Sequence, residues 1–320
     1  MSMKYIRLSS TDPYLNLAIE EYLLNTATDD IFMLWQNANT VVIGKNQNAY
    51  AEVNLTYAKE NGIRIARRIT GGGAVYHDLG NLNYTFITSK SKATALDYAY
   101  FTKPIINALS SLSLTTTLSG RNDLLCNGKK FSGNAQFSSV DKILHHGTLL
   151  FDTDTSVLSS VLKVNKEKLE HNGVKSHESR IVNLKSLLGE NYTIEDFISA
   201  IEKEIASTAE FCPAPTKEEV MSIYERNKSN EWIYGEKRFI TGYKLTKQKK
   251  FPFGFVKAEM TLEKDVIKSI VISGDFFGTE PIEDLEKMLI GKNITALTPF
   301  APSPYIDKMS FENLKELLEI

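Results

Sequence analysis

Three consecutive glycines, Gly71-Gly72-Gly73, sit at the centre of the stretch Arg67-Arg-Ile-Thr-Gly-Gly-Gly-Ala-Val-Tyr-His-Asp78. Neither a helix nor a strand runs easily through such a triplet, because glycine loses the most backbone freedom on folding and brings no side chain to pack. Regular structure should therefore break here, between an apolar run ending at Arg67 and another beginning at Ala74. The two arginines before the break add a chemical constraint. A glycine loop exposes backbone N–H groups to an anion, and arginine recognises phosphate or carboxylate with a planar fork. The spacing fits neither the GxxxxGK[ST] phosphate loop nor the GxGxxG dinucleotide fingerprint. On local sequence alone, a glycine bulge with surface arginines accounts for it equally well.

The flanking segments read as β-structure. KYIRLSS starts the chain as a strand, and Asp12 before Pro13 caps a helix over PYLNLAIEEYLLN. IFMLW (31–35) and TVVIG (40–44) read as a hairpin, and IRIAR (63–67), AVYHD and LNYTFI (82–87) supply further strands. Residues 95–112 look helical, with Pro104 at a kink or a helix start. TTTLSGRNDLL, KKFSGNAQF and HHGTLLFD return to strand character, with Asn127-Gly128 as a turn. From Asp154 the pattern is helical, over 154–162, 193–210 and 216–230, and Thr216 with Glu219 makes a capping box. Past Trp232 come two long strand-like runs, the helix IEDLEKMLIG and a final helix FENLKELLEI. This ending suits a small separate α/β domain of about 75 residues. The expected division is a larger domain over 1–240 and a smaller one over 247–320.

Composition narrows the class. At 320 residues with 42% hydrophobic, 24% charged and a net charge of −2, the chain reads as globular, and its charge calls for no nucleic-acid partner. The N-terminus lacks a signal pattern, and no apolar run approaches the ~20 residues of a membrane span, so a cytoplasmic protein without membrane contact is expected. Cys126 and Cys212 stand alone without CxxC spacing, which points to reduced thiols and away from zinc or redox chemistry.

Chemistry concentrates in four further places. In Lys129-Lys-Phe-Ser-Gly-Asn-Ala-Gln-Phe137, strand alternation puts Lys130, Ser132, Asn134 and Gln136 on one polar face and Lys129, Phe131, Ala135 and Phe137 on the other. Lys130 is then the lysine able to neutralise phosphate charge during nucleotidyl transfer, the plain alternative being two solvated lysines. Arg121, Asn122 and Asp123 suit a base, a metal ion or simply an Asx turn. His145 and His146 point to opposite faces of a strand and have no third ligand nearby in sequence, which argues against a metal site. Trp35 suits the core or the wall of an apolar pocket.

In combination and in order, TVVIGKNQN (40–48), RRITGGGAVYHDLGN (67–81), SGRNDL (119–124), KKFSGNAQ (129–136), HHGTLLF (145–151) and SRIVNL (179–184) resemble the lipoate–protein ligase A family. The resemblance implies an α+β fold shared with biotin protein ligases and class II synthetase cores. That fold is a mixed, largely antiparallel sheet flanked by helices, here with a small C-terminal α/β domain. It implies two half-reactions: lipoate and ATP, with Mg²⁺, give lipoyl-adenylate and pyrophosphate. The ε-amine of a lysine on an apo lipoyl domain of a 2-oxoacid dehydrogenase E2 subunit, or on the glycine-cleavage H protein, then takes the lipoyl group.

Carried onto this sequence, the resemblance makes Lys130 the catalytic residue. It assigns Arg68, Gly72, Gly73, Ala74, Val75, Tyr76, Asn122, Asp123 and Lys130 to the adenylate. The lipoyl pocket falls to Trp35, Gly73, His77, His146 and Lys130, and Asp123 is the candidate metal ligand. Arg68 is the anion contact of the arginine pair, and alternation turns Arg67 elsewhere. A monomer is expected. Gln136-Phe137 stands where the family frequently has an aromatic after KxSGxA, so fatty-acyl preference stays open. Two other readings remain at this stage: an ATP-independent lipoyl or octanoyl transferase, some of whose relatives use a nucleophilic cysteine, and a non-catalytic acyl- or nucleotide-binding regulator. Neither Cys126 nor Cys212 lies near a recognisable base in sequence.

Overall fold

The computed structural model describes residues 3–163, 180–239 and 242–320. Ser179 of the SRIVNL segment and positions 240–241, where the expected division between domains falls, lie outside the described residues. In chain order the strands are β1 (Met3–Arg7), β2 (Asp30–Trp35), β3 (Thr40–Ile43), β4 (Arg64–Arg67), β5 (Val75–His77), β6 (Asn81–Ser89) and β7 (Thr116–Ser119). They continue with β8 (Asp123–Cys126), β9 (Lys129–Ser138), β10 (Lys142–Leu150), β11 (Glu210–Phe211), β12 (Leu245–Phe251), β13 (Gly254–Glu263) and β14 (Val266–Gly274).

Eight of them form one sheet in the order β11-β1-β2-β6-β10-β9-β8-β7. Only the β11–β1 and β1–β2 pairs are parallel, so the sheet is mixed and largely antiparallel, as expected. Strand alternation splits its side chains between two cores. Phe32, Leu34, Leu82, Tyr84 and Leu149 pack under helices Tyr98–Ser111 and Ile194–Ile205. Met33, Trp35, Ile87 and Leu144 face the other way, against helix Pro13–Thr26 and Val42 of a smaller sheet. Asp12 caps that helix through Tyr14 N–H, and Pro13 opens it.

The smaller sheet has the order β4-β3-β5. This corrects the expected 31–35/40–44 hairpin: β2 stays in the large sheet, while β3 crosses to pair with β4 and β5. All four residues of β3 are buried, because Val42 packs into one core and Val41 and Ile43 into another. A strand covered on both faces belongs between layers, and a short apolar run does not disclose its pairing partner. Pro104 lies inside helix Tyr98–Ser111 rather than at its start. Thr216 and Glu219 exchange their capping-box bonds, but the helix that follows is only Met221–Lys228.

The C-terminal segment makes its own three-stranded sheet, β12-β13-β14, over its own core with helices Ile282–Leu289 and Phe311–Leu318. Three strands appear where two runs were expected, because the chain reverses between Phe251 and Gly254, which are paired in register. This unit touches the glycine loop directly. Gly72 N–H donates to the Phe276 carbonyl at 3.2 Å and Gly274 N–H to the Asn46 carbonyl at 2.9 Å.

Candidate active site

A cavity lies between the two sheets. Its floor is a row of side chains crossing the large sheet, in which Trp35 opposes Asn83, Asn83 opposes Thr148, and Gly133 opposes Asp123. Gly133 N–H donates to Thr148 Oγ1 at 3.1 Å, which joins the two halves of the row. At about 4.8 Å between strands, the row spans roughly 19 Å from Trp35 to Asp123. Leu17 and Val42 close the apolar end, and Gly72, Gly73, Ala74 and Val75 border the cavity from above.

Lys130 lines this cavity, for a reason alternation does not give. The register between β8 and β9 shifts: Leu124 opposes Ser132, but Leu125 opposes Lys130. Phe131 is the extra residue of a β-bulge, which bends the strand and re-aims its neighbours. Phe131 packs into the helix-covered core, and Ser132 and Asn134 turn the same way, hydrogen-bonded to each other at 3.2 Å. Lys130 lies instead on the face of Gly133, where a β-carbon would stand 3.2 Å from its Nζ. The expected polar set of Lys130, Ser132, Asn134 and Gln136 is thereby corrected. Gln136 serves the fold, donating to His145 Nδ1 at 3.0 Å and accepting from Leu96 N–H at 2.7 Å.

Lys130 Nζ is 2.7 Å from Asp123 Oδ1. Asn122 lines the cavity, and its side chain donates to the Asn134 carbonyl at 2.7 Å, tying the 119–123 turn to β9. Among the described residues no three His, Cys, Asp or Glu side chains cluster as a metal set.

The glycine loop is shaped by Arg68, which is buried. Its Nη2 donates to the carbonyls of Gly71 and Gly73 at 2.8 Å each, its Nη1 to Val42 at 3.1 Å and its Nε to Thr70 Oγ1 at 2.9 Å. Four of its five N–H bonds therefore hold protein, and its first duty is to collar the loop. Gly72 has φ +92°, and a β-carbon on Gly44 would lie 2.1 Å from the Gly72 carbonyl oxygen, so glycine is required at both positions. Arg67 turns away from the cavity, as alternation predicts. It donates to five carbonyls, those of Gly44, Lys45, Gln47, Trp232 and Ile233, at 2.7–3.1 Å. Burial lowers the pKa of both arginines, leaving two guanidinium charges close behind the loop.

Val75 and His77 face the cavity, whereas the Tyr76 side chain points into the opposite core and donates to Asn39 Oδ1 at 2.9 Å. Only the main chain of Tyr76 is left for a nucleotide, because β5 alternates. His146 and Trp35 line the cavity and share one buried network. Trp35 Nε1 donates to Thr85 Oγ1 at 2.9 Å, Thr85 donates to Glu20 Oε1 at 2.6 Å, and His146 Nδ1 lies 2.9 Å from Glu20 Oε1. His146 Nε2 meets Thr70 Oγ1 at 2.9 Å, which brings the network to Arg68. His145 faces the other core, stacked on Phe101 at 4.9 Å.

Sequence reasoning missed Asn83, Thr148, Glu20 and Phe277. Glu20 had a signal, a carboxylate one turn from Asn16 on a helix face that is otherwise apolar. Phe277 had none, since it reaches the cavity wall from the C-terminal unit. There the Arg121 guanidinium lies 4.1 Å from the Phe277 ring centroid, and Arg121 Nη1 donates to the Phe253 carbonyl at 2.6 Å.

Burial holds both histidine pKa values down, to about 3 for His77, where Arg68 and His146 add to the effect, and well below the ordinary 6.5 for His145. The unfolded chain takes up protons at both sites near the ordinary value, while the folded chain refuses them. Their contribution to stability is thus complete above pH 6.5 and is lost as the pH falls from there towards 3. The urea midpoint should be clearly lower at pH 5 than at pH 7.5; equal midpoints would contradict the neutral assignment.

A cationic rim joined to a buried apolar slot suits a substrate with an anionic head and an apolar tail. Residues 12–206 match the model of the lipoyl protein ligase A/B catalytic domain, and residues 241–318 match that of the bacterial lipoate protein ligase C-terminus. The chain belongs to the lipoate–protein ligase family. It is 39% identical over 291 residues to lipoate-protein ligase LplJ of Bacillus subtilis, covering 88% of this chain and 87% of that one. It is 37% identical to lipoate–protein ligase 1 of Staphylococcus aureus, with 90% of each covered. Among solved structures, P. falciparum LipL1 in complex with lipoate superposes with a TM-score of 0.79 at 26% identity, over 99% of this chain and 97% of that one. A lipoate-protein ligase A bound with ATP gives 0.62 at 26% identity, over 73% and 99%.

Proposed function

We propose that this ligase activates free lipoate with ATP and passes the lipoyl group to a lysine of an apo lipoyl domain or a glycine-cleavage H protein. The observation that carries the reading is the position of Lys130, on one cavity wall with both the glycine loop and Trp35. In the first step a lipoate carboxylate oxygen attacks the α-phosphorus of ATP, the bond to the β-phosphate oxygen breaks, and pyrophosphate leaves. In the second, a neutral lysine amine attacks the acyl carbon, AMP departs, and the nitrogen loses its proton as the amide forms.

Lys130 stabilises negative charge at the α-phosphate and carbonyl oxygens, as a fixed cation does best in a site that excludes water. The main chain from Gly73 to Tyr76 approaches the nucleotide over the loop that Arg68 holds, and Asn122 closes its other side. Trp35, Leu17 and Val42 take the acyl chain. Mg²⁺ arrives as part of the ATP substrate, with phosphate oxygens and water as its main ligands. Asp123 is the carboxylate available to it, in competition with Lys130. Residues 1–240 form the catalytic domain and 247–320 the accessory domain. A homologous archaeal ligase, 29% identical, has been solved in a study with its E2 lipoyl domain, which supports this acceptor class. Among the described residues no helix is long and apolar enough to cross a membrane, in keeping with a protein that works in the cytoplasm.

The test is lipoate-dependent ATP–pyrophosphate exchange, followed by transfer to an apo lipoyl domain. Exchange with free lipoate is expected. Transfer between carriers without exchange would instead make the chain a transferase, and neither activity would make it a binding protein. Cys126 counts against the transferase reading, since it is buried and burial raises its thiol pKa, the opposite of an activated nucleophile.

A further inference from the structure

At the Lys130 end of the cavity, the C-terminal unit reaches from the glycine loop to the 119–123 turn. On the loop side Asp275 packs close, its Cβ 3.9 Å from where a β-carbon of Gly73 would stand. On the turn side the Phe253 carbonyl accepts from Arg121 Nη1 at 2.6 Å. Each side carries a cation. The half-buried Arg121 guanidinium lies 4.1 Å from the Phe277 ring centroid, and the next residue, Asn122, lines the cavity together with Phe277. Lys250 Nζ, from β12, stands 3.7 Å from Asp275 Oδ1, which also accepts from Phe255 N–H at 2.5 Å.

Arg121 differs from the two arginines behind the loop. Those spend their N–H groups on main-chain carbonyls and on Thr70. Among the described residues Arg121 makes one hydrogen bond, and Asp123, Asp275 and Asp307 lie near it without coming within ion-pairing distance. Four of its N–H bonds are therefore open at the rim, and a guanidinium stacked on an aromatic face presents that edge to an anion. Lys130 does not carry all the charge needed there, because it is shared with Asp123.

The direction of the reaction identifies the anion. With the acyl chain in the slot beside Trp35, the lipoate carboxylate meets the α-phosphorus from that end of the row. Displacement at phosphorus keeps the attacking and leaving oxygens roughly in line, so pyrophosphate departs towards the opposite end, where Arg121 and Lys250 stand. As the bond from the α-phosphorus to the bridging oxygen breaks, its electron pair stays on that oxygen. Cations fixed beside the growing charge lower the barrier.

Building on the lipoate-activation reading, we infer that Arg121 and Lys250 bind the β- and γ-phosphates of ATP and stabilise pyrophosphate as it leaves. Arg121 supplies a planar, bidentate contact and Lys250 a point charge. Lys250 is then a substrate contact brought by the C-terminal unit. The second step, from which AMP departs, uses neither residue.

The test separates the two steps in the full-length enzyme. Arg121→Met and Lys250→Met should each raise the KM for pyrophosphate in ATP–pyrophosphate exchange roughly tenfold, the order for one lost charge-assisted contact, with the KM for lipoate unchanged. Transfer to an apo lipoyl domain from synthetic lipoyl-adenylate should keep the parent rate. Inorganic tripolyphosphate, a phosphate chain without a nucleoside, should inhibit exchange in competition with ATP, and its inhibition constant should rise in both variants. Arg121→Lys, which keeps the charge and loses the fork, should fall between parent and Arg121→Met. If Arg121 only clamps the two units together, Arg121→Met lowers kcat while the constants for pyrophosphate and tripolyphosphate stay where they were. That result overturns the inference, as does a loss of transfer from the synthetic adenylate in step with exchange. Should the unaltered enzyme show no lipoate-dependent exchange, the activation reading itself falls; unchanged phosphate constants in both variants remove this inference alone.

Discussion

Lys130→Ala is expected to abolish adenylate formation and acyl transfer, with a loss of at least about 10²–10³-fold in exchange rate, the range for removing one pre-organised charge stabiliser. The loss should exceed that of a missing cation alone. Without Lys130, the Asp123 carboxylate now 2.7 Å from its Nζ turns an unpaired negative charge towards anionic substrates. Lys129→Ala should stay within about twofold, as a surface change remote from the cavity does. Exchange assays on both variants, with circular dichroism to confirm folding, decide the matter. Near-normal adenylate formation by Lys130→Ala would remove the proposed role.

The second large effect concerns stability. Arg67→Met should cost about 4 kcal/mol, because it leaves five buried or half-buried carbonyls without their donor. For a chain of this size that corresponds to a fall in Tm on the order of 10 °C. Arg67 joins three stretches far apart in sequence: the end of β4, the 44–47 turn and the Trp232-Ile233 segment, whose indole Nε1 donates back to the Arg67 carbonyl at 2.9 Å. Arg67→Lys should recover only part of the loss, since an ammonium has three donors and no planar fork. Differential scanning calorimetry gives the answer, and a Tm within 2 °C of the parent for Arg67→Met would mean that the carbonyls find other partners.

These two residues show what was legible in the sequence and what was not. Alternation correctly turned Arg67 away from Arg68, because β4 is regular up to the loop. The same rule chose Lys130 over Lys129 but placed it on the wrong face, since a one-residue bulge at Phe131 leaves no local mark in the sequence. Arg68 was expected on an anion, yet most of its donors hold the loop. That arrangement depends on carbonyls of Gly71 and Gly73 turning inward, which no residue type announces. The helix opening at Pro13 was readable from its cap and periodicity, which are local, whereas the largely antiparallel sheet came from the family resemblance alone. The destination of β3 and the arrival of Phe277 were not, because both depend on pairings between distant segments.

The seam at Phe277 has a chemical consequence. An acyl-adenylate is a mixed anhydride, and any water admitted beside its carbonyl spends the activated group as free acid. In the proposed reaction, one wall beside that carbonyl is an aromatic ring supplied by a unit with its own core, held to the loop by the Gly72–Phe276 contact and the stacking on Arg121. On that reading, the lifetime of the activated acyl group would be a property of the join between two units.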